Sequence, residues 1–398
     1  FETPVIERLD NLKAKFAAGE ESDAFKEIFT FKDQGERDLG LRFELTLSLC
    51  RFIAMNPNIK LPFKRYEIGR VYRDGPVKLG RMREFWQCDV DIIGSDSMLA
   101  DAQVLAIVKE VFNKLDFEIT IEVSNRKLLN GILEYSGVSE EKRHSAMISI
   151  DKLKKIGAEE VNTELKEKGI KKQAIERINK ILNIKGTRDS RIDKLKKLID
   201  NDTGKQGIKE LEELFEYLDF LKVKSYEFNH TLARGLGYYT GPIYEAFLKD
   251  SKITSSVVGG GRYDEYIGNF LGKTREIPAT GLSFGLEPIT EAVKLRQKEF
   301  PKSVSQVFII PIGTKEKSLE ILQTLRKAGI NVETDVMKRG ISKNLDYANV
   351  MGIPYVIFIG ENELKQDSVK LKHMKSGKEE MVKLDELVSS LKERIDKL

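Results

Sequence analysis

Between Thr231 and Phe247 the chain reads TLARGLGYYTGPIYEAF. Arg234 lies between an apolar turn and a Gly-Leu-Gly step, and Tyr238, Tyr239, Thr240, Gly241 and Pro242 follow. Tight backbone, one fixed cation and two amphipathic rings suit a pocket for a small polar ligand with negative charge nearby. An ordinary strand–turn–strand with a surface arginine fits the same residues, so the rest of the chain decides. A second concentration of polar groups is KRYEIGRVYRDGPVKLGRMREFWQCDVDIIG. Tyr66 to Arg73 and Phe85 to Ile93 alternate as strands. The basic loop DGPVKLGRMR between them makes an antiparallel hairpin with an anion-binding tip. In Ser255 to Phe270, three consecutive glycines let backbone approach a ligand closely or let strands cross. No Gly-x-Gly-x-x-Gly opens a helix and no P-loop occurs, so any nucleotide is held by other means.

The totals narrow the class. At 398 residues the chain is too long for one compact core. Net charge is only +4, so the placement of charge matters more than its sum. Cys50 and Cys88 form no Cys-x-x-Cys pair, which fits a reducing cytosol and excludes a disulfide scaffold or a cysteine zinc site. His144, His230 and His373 are too scattered for a metal cluster. No apolar run approaches the ~18 residues of a membrane span, and the first residues are not a signal peptide. The abrupt start leads us to expect further residues upstream.

The elements that must position these groups follow in order. A helix is expected from Val5 to Phe16, with Pro4 in its first turn. Ile28 to Lys32 and Leu41 to Glu44 read as strands around a turn, placing Arg42 and Glu44 at a strand end. Thr46 is expected to cap a helix running to Met55. Met98 to Lys114 is an amphipathic helix and Phe117 to Val123 a strand. Ser124 to about Tyr217 changes texture to Lys/Glu-rich helix, with Ile208, Leu211, Leu214, Phe215, Leu218 and Leu221 on one face. Lys166 to Lys197 holds twelve Lys/Arg against four Asp/Glu, a solvated face or a nucleic-acid surface. Ala279 to Leu295 is a glycine-punctuated strand feeding a helix. After a linker at Phe300 to Ser305, VFIIPIG, INVETDV and PYVIFIG alternate with helices as a βαβαβ domain whose strands are buried on both faces. The expected divisions are 1–124, a first part of one domain; 125–222, a helical insertion; 223–299, its second part; and 300–398, the α/β domain.

With those pieces placed, the chain resembles the histidyl-tRNA synthetases, class II aminoacyl-tRNA synthetases, with an archaeal and eukaryotic cast. TPVIE looks like the tail of the class II dimer motif. LRFELT is similar to the family's Leu-Arg-Pro-Glu-x-Thr. RVYRDGPVKLGRMREFWQCDVDIIG resembles the second class II motif, RGLGYYTGPIYE and VGGGRYD the histidine-specific motifs, and GLSFGLEPI the third class II motif. The resemblance covers nearly the whole chain. It implies an α+β fold: a class II antiparallel sheet with flanking helices, a helical insertion and a C-terminal anticodon-binding domain. It also implies ATP-dependent ligation of L-histidine to tRNA(His) through a histidyl-adenylate, with Mg²⁺ on the ATP phosphates and a homodimer as the working unit.

Roles carry over by motif. Arg73 and Arg234 match arginines at the α-phosphate, where fixed cations stabilise developing charge. Arg83 and Glu287 match positions near ATP. Glu44, Thr46, Gln87 and Asp91 match amino-acid-binding positions, and Tyr238, Tyr239 and Tyr263 the tyrosines around the imidazole. A carboxylate with a phenol hydroxyl can read both ring nitrogens. The loop Asp74 to Met82 is the expected reader of the tRNA acceptor end. Two positions depart from the family: Gly237 stands for its aspartate, and Pro288 for the arginine of the third motif, which Arg262, Lys273 or Arg275 would have to replace. Those departures keep open a non-catalytic relative such as the regulatory subunit of ATP phosphoribosyltransferase, against which the C-terminal domain argues.

Overall fold

The computed structural model describes residues 2–14, 27–77, 82–233, 238–270, 276–296 and 302–396. The chain divides into two compact units, Phe1–Arg296 and Gln297–Leu398.

The first unit opens on a small antiparallel sheet of β1 (Ile6–Arg8), β2 (Thr30–Lys32) and β3 (Asp38–Leu41), ordered β1-β3-β2. The helix expected from Val5 therefore starts later and is described as Leu9–Ala14; Lys15 and Phe16 lie outside the described residues. Pairing of Ile6 with Leu41 holds the preceding residues extended, and tertiary pairing overrides a helical spacing of this length. The next helix is Thr46–Met55, but Thr46 is its first turn and not its cap: Leu45 takes the N-cap position without a side-chain bond.

The scaffold of the unit is a seven-stranded sheet among the described residues, ordered β4-β5-β10-β9-β8-β6-β7. Its strands are β4 (Phe63–Tyr72), β5 (Glu84–Ile93), β6 (Ile119–Asn125), β7 (Tyr226–Phe228), β8 (Pro242–Leu248), β9 (Val258–Arg262) and β10 (Ala279–Gly285). All neighbours are antiparallel except β6 and β7. Alternation in the expected hairpin matches the β4–β5 pair, in which Arg65 faces Asp91 and Gly69 faces Gln87. One sheet face is covered by helix Met98–Lys114, whose Val104, Leu105, Val108 and Phe112 are buried with strand residues such as Tyr244 and Phe284. The other carries the polar residues described below.

The expected insertion is wholly helical after β6, running from Arg126–Tyr135 to Asp202–Phe220. Its last helix buries Ile208, Leu211, Leu214, Phe215 and Leu218 in the same core as the sheet, whereas Leu221 is 42% exposed and lies past the helix end. The segment is thus built into the first unit at its root. A separate cluster around Met147, Leu165, Ile175 and Ile178 holds its outer helices and reaches Leu232 and Tyr239.

The second unit has a five-stranded sheet of β11 (Val307–Ile312), β12 (Val332–Thr334), β13 (Tyr355–Gly360), β14 (Ser368–His373) and β15 (Glu379–Lys383), ordered β12-β11-β13-β14-β15. β11 is parallel to both neighbours, the βαβ crossovers expected, while β14 and β15 form an antiparallel extension. Val307 and Ile309 enter one core and Phe308 and Ile310 another, so β11 is buried on both faces.

Candidate active site

Strand register builds the site. Directly opposed residues of neighbouring strands point to the same sheet face. One row across that face is Arg65, Asp91, Gly281 and Gly261, and the next is Glu67, Asp89, Ser283 and Gly259. Acids therefore sit on β4 and β5, and small residues on β9 and β10. The small residues leave a hollow. A Cβ on Gly281 would collide with Oδ1 of Asp91, and one on Gly261 with the ring of Tyr239. Glu44, Thr46, Arg73, Gln87, Asp89, Asp91, Tyr238, Tyr239, Tyr263 and Ser283 line one cleft over these glycines.

The deep end reads as a hydrogen-bonding pocket. Tyr263 donates to Asp91 Oδ1 at 2.5 Å, and Arg65 Nε donates to Asp91 Oδ2 at 3.0 Å. Arg65 also pairs with Glu67, whose carboxylate accepts from Thr3 and so ties the N-terminal segment to the floor. Burial pushes both Asp89 and Asp91 above the usual carboxylate range. For Asp89 the neighbouring Asp91 adds to burial; for Asp91 the Arg65 guanidinium and Tyr263 offset part of it. Burial opposes the charge of Arg65, but Asp91 and Asp89 raise its pKa overall. Burial raises the phenols of Tyr263 and Tyr266 well above ordinary, so both are donors at neutral pH. Tyr266 donates to Glu44 at 3.1 Å and stacks on Tyr238 at 4.8 Å, making the aromatic wall.

At the outer end Arg73 lies over Phe43 at 4.2 Å and Phe85 at 5.1 Å, and its Nε donates to the Phe43 carbonyl. Contact with two rings restricts the guanidinium while it lines the cleft.

Eight of the expected site residues thus meet in one cleft: Glu44, Thr46, Arg73, Gln87, Asp91, Tyr238, Tyr239 and Tyr263. Two do not line it. Arg83 is exposed, bonded to the Gly75 carbonyl and paired with Asp74, and Glu287 accepts from the Trp86 backbone at 2.8 Å. Arg234, Gly235 and Gly237 lie outside the described residues, as do Lys273, Arg275 and the middle of the Asp74–Met82 loop. Arg262 is not a replacement for the arginine expected at Pro288: it is 1% exposed and bound to Asp101, Asp264 and the carbonyls of Ser95 and Ser97 on the opposite sheet face. Sequence reasoning missed Asp89, Ser283, Arg65 and Tyr266. The two-residue period of Gln87, Asp89 and Asp91 was the signal available for Asp89.

A sequence profile described as histidyl-tRNA synthetase matches residues 1–289, and one described as an anticodon binding domain matches 306–394. The chain belongs to the histidyl-tRNA synthetase family. A histidine–tRNA ligase of Bacillus cereus is 45% identical over 97% of this chain and 88% of its own length. A crystal structure of histidyl-tRNA synthetase from Nostoc sp. PCC 7120 superposes with a TM-score of 0.85 at 32% identity, covering 99% of this chain and 91% of that one. The fold is also shared, at 20% identity and a TM-score of 0.71, with a Bacillus halodurans structure described as an ATP phosphoribosyltransferase regulatory subunit/histidyl-tRNA synthetase. That match covers 87% of this chain and 86% of that one. The histidyl-tRNA synthetase match thus spans both units of the fold, catalytic sheet and anticodon-binding domain alike.

Proposed function

We propose that this chain ligates L-histidine to tRNA(His) in two steps. A carboxylate oxygen of histidine attacks the α-phosphorus of ATP, the bond to the β-phosphate oxygen breaks, and pyrophosphate leaves. A hydroxyl of the terminal tRNA ribose then attacks the carbonyl carbon of the histidyl-adenylate, and AMP leaves. The observation that supports this most is a single cleft with a stacked guanidinium, Arg73, at one end and the Asp91–Tyr263 pair at the other. The two features suit the two reactants. Arg73 faces the charge that develops on the phosphoryl oxygens, a role Arg234 shares by resemblance. Asp91 and Tyr263 offer the imidazole nitrogens their hydrogen-bonding groups, the Tyr263 O–H turning from Asp91 to the ring where it donates, with Tyr239 beside them, while Glu44, Thr46 and Gln87 serve the α-ammonium. Tyr238 braces the wall. Arg83 and Glu287 stand nearer the nucleotide's outer groups.

Among the described residues no group of three or more His, Cys, Asp or Glu is placed to hold a metal ion. The Mg²⁺ of this reading accordingly enters with ATP, on its phosphates, as part of the substrate. A homodimer fits the exposed apolar side chains Ile6, Tyr66 and Ile68, which are 52%, 67% and 51% exposed. No helix among the described residues is long and apolar enough to cross a membrane; a cytoplasmic site of action follows from the reaction proposed. The domain divisions stated above are kept as part of this reading, the last for the anticodon.

Exchange of labelled pyrophosphate into ATP tests the reading. Exchange should require histidine, and Arg234→Ala should collapse it while tRNA binding persists. No exchange with any amino acid would favour a non-catalytic relative instead.

A further inference from the structure

We infer that Asp89 is a further residue of the amino-acid site, whose free carboxylate oxygen receives the α-ammonium of histidine. The inference rests on the functional reading above and assigns a residue that the motifs left out. Asp89 lies midway along β5 between Gln87 and Asp91, about 7 Å along the strand from each. It lines the cleft and is 3% exposed. Among the described residues its Oδ1 has no hydrogen-bond partner, and neither does Oε1 of Gln87, two residues away on the same face. Two orphaned acceptors side by side in a cleft are costly unless a donor arrives. An ammonium brings three donors from one atom. Asp91 is a poorer receiver, because Tyr263 and Arg65 already occupy one oxygen each.

The charges around Asp89 favour a cationic ligand. From β4 it faces Arg65, whose Nη2 is 4.0 Å away, and Glu67 on the opposed position. From β5 come Asp91 and neutral Gln87, from β10 the Ser283 hydroxyl, and from the segment after β3 Glu44. Arg42 reaches Glu67 at 3.5 Å. Asp89, Asp91, Glu67 and Glu44 thus lie about the nearby guanidiniums of Arg65 and Arg42, with Arg73 on the same cleft. Burial, with Asp91 beside it, holds Asp89 up to about 8, which favours a proton on it in the empty site. An arriving ammonium stabilises the carboxylate and the proton leaves.

Calorimetric titration of L-histidine into the full-length protein near pH 7.5, in buffers of different ionisation enthalpy, reads the protons released. The control ligand is 3-(imidazol-4-yl)propionate, which keeps the ring and lacks the amino group. Histidine should release more protons than the control, by up to about one per site. Asp89→Asn should abolish that difference and raise the KM for histidine about tenfold or more, with a smaller change in kcat. Equal release by both ligands with the parent protein overturns the inference without any variant. Persistence of the difference in Asp89→Asn assigns the proton elsewhere and also overturns it. A parent protein that binds no histidine overturns the functional reading as well; binding without the extra release overturns this inference alone.

Discussion

Arg73 shows how a charge is made useful at the scale of one residue. Its contacts with the rings of Phe43 and Phe85 restrict the guanidinium before any phosphate arrives, so less reorganisation is left for the reaction. Arg73→Ala should lower histidine-dependent pyrophosphate exchange about 10²–10³-fold, the usual effect of removing one preorganised donor, with histidine affinity by calorimetry nearly unchanged. A comparable loss of affinity would place Arg73 in amino-acid binding. Asp89 gives a prediction with a defined sign. Its pKa rises from 3.8 to about 8 on folding, so between those values the folded protein holds a proton the unfolded chain has released. Its contribution to stability therefore falls as pH rises across that window and is lost above about 8. Asp89→Asn cannot ionise and should melt above the parent at about pH 9, with the advantage shrinking toward about pH 5. An advantage independent of pH would show that ionisation of Asp89 is not its source. The residues that sequence motifs could supply were those with a fixed neighbourhood in the chain, such as Gln87 and Asp91. Tyr266 reaches Glu44 across 222 positions, a distance no local pattern encodes.

At the scale of elements, the face of the sheet away from the cleft explains why the tyrosines stand where they do. Arg262 ends β9 and grips Asp101 of helix Met98–Lys114, Asp264 and the carbonyls of Ser95 and Ser97. The Arg262 carbonyl accepts from Thr240 N at 2.8 Å, and Thr240 Oγ1 accepts from Asp264 N at 3.0 Å. Arg262 thereby holds both segments, the one with Tyr263 through its side chain on Asp264 and the one with Tyr239 through its backbone carbonyl. Arg262→Ala removes the buried cation that pairs with Asp101, leaving only hydroxyl partners such as Thr280, and should cost about 3–5 kcal/mol in denaturant unfolding. A cost below about 1 kcal/mol would mean that the clamp is dispensable. Element identity was legible where periodicity ran long: Met98–Lys114 has the expected bounds, and the β4–β5 hairpin differs by a few residues. It was not legible where partners decide. The three residues Ile6–Arg8 are strand because β3 is there to pair with, and β15 was missed because Glu379–Lys383 is polar and mostly exposed at a sheet edge.

For the whole molecule, charge placement matters more than its sum. Within the basic stretch, Arg188 pairs with Asp219, Lys196 with Glu212, and Lys168 donates to Ser145 and Ser149. Lys166, Lys171, Arg177, Lys180 and Lys197 are exposed, and these are the residues proposed to meet tRNA. Replacing all five with Gln should weaken tRNA binding and reduce the slope of log K against log salt, by roughly 0.7–0.9 for each phosphate no longer neutralised, with histidine-dependent pyrophosphate exchange retained. An unchanged slope would leave the stretch as solvated helix surface. The glycine floor has a consequence of another kind, for the mutational paths open to the fold. Any replacement at Gly281 or Gly261 adds atoms where a Cβ already collides, so single substitutions there can only shrink the chamber. The substrate range can be narrowed at those positions in one step and never widened. A lineage, or an engineer, seeking to admit a bulkier ring must instead trim the tyrosines or acids, the groups that recognise histidine, and so must surrender selectivity before gaining scope.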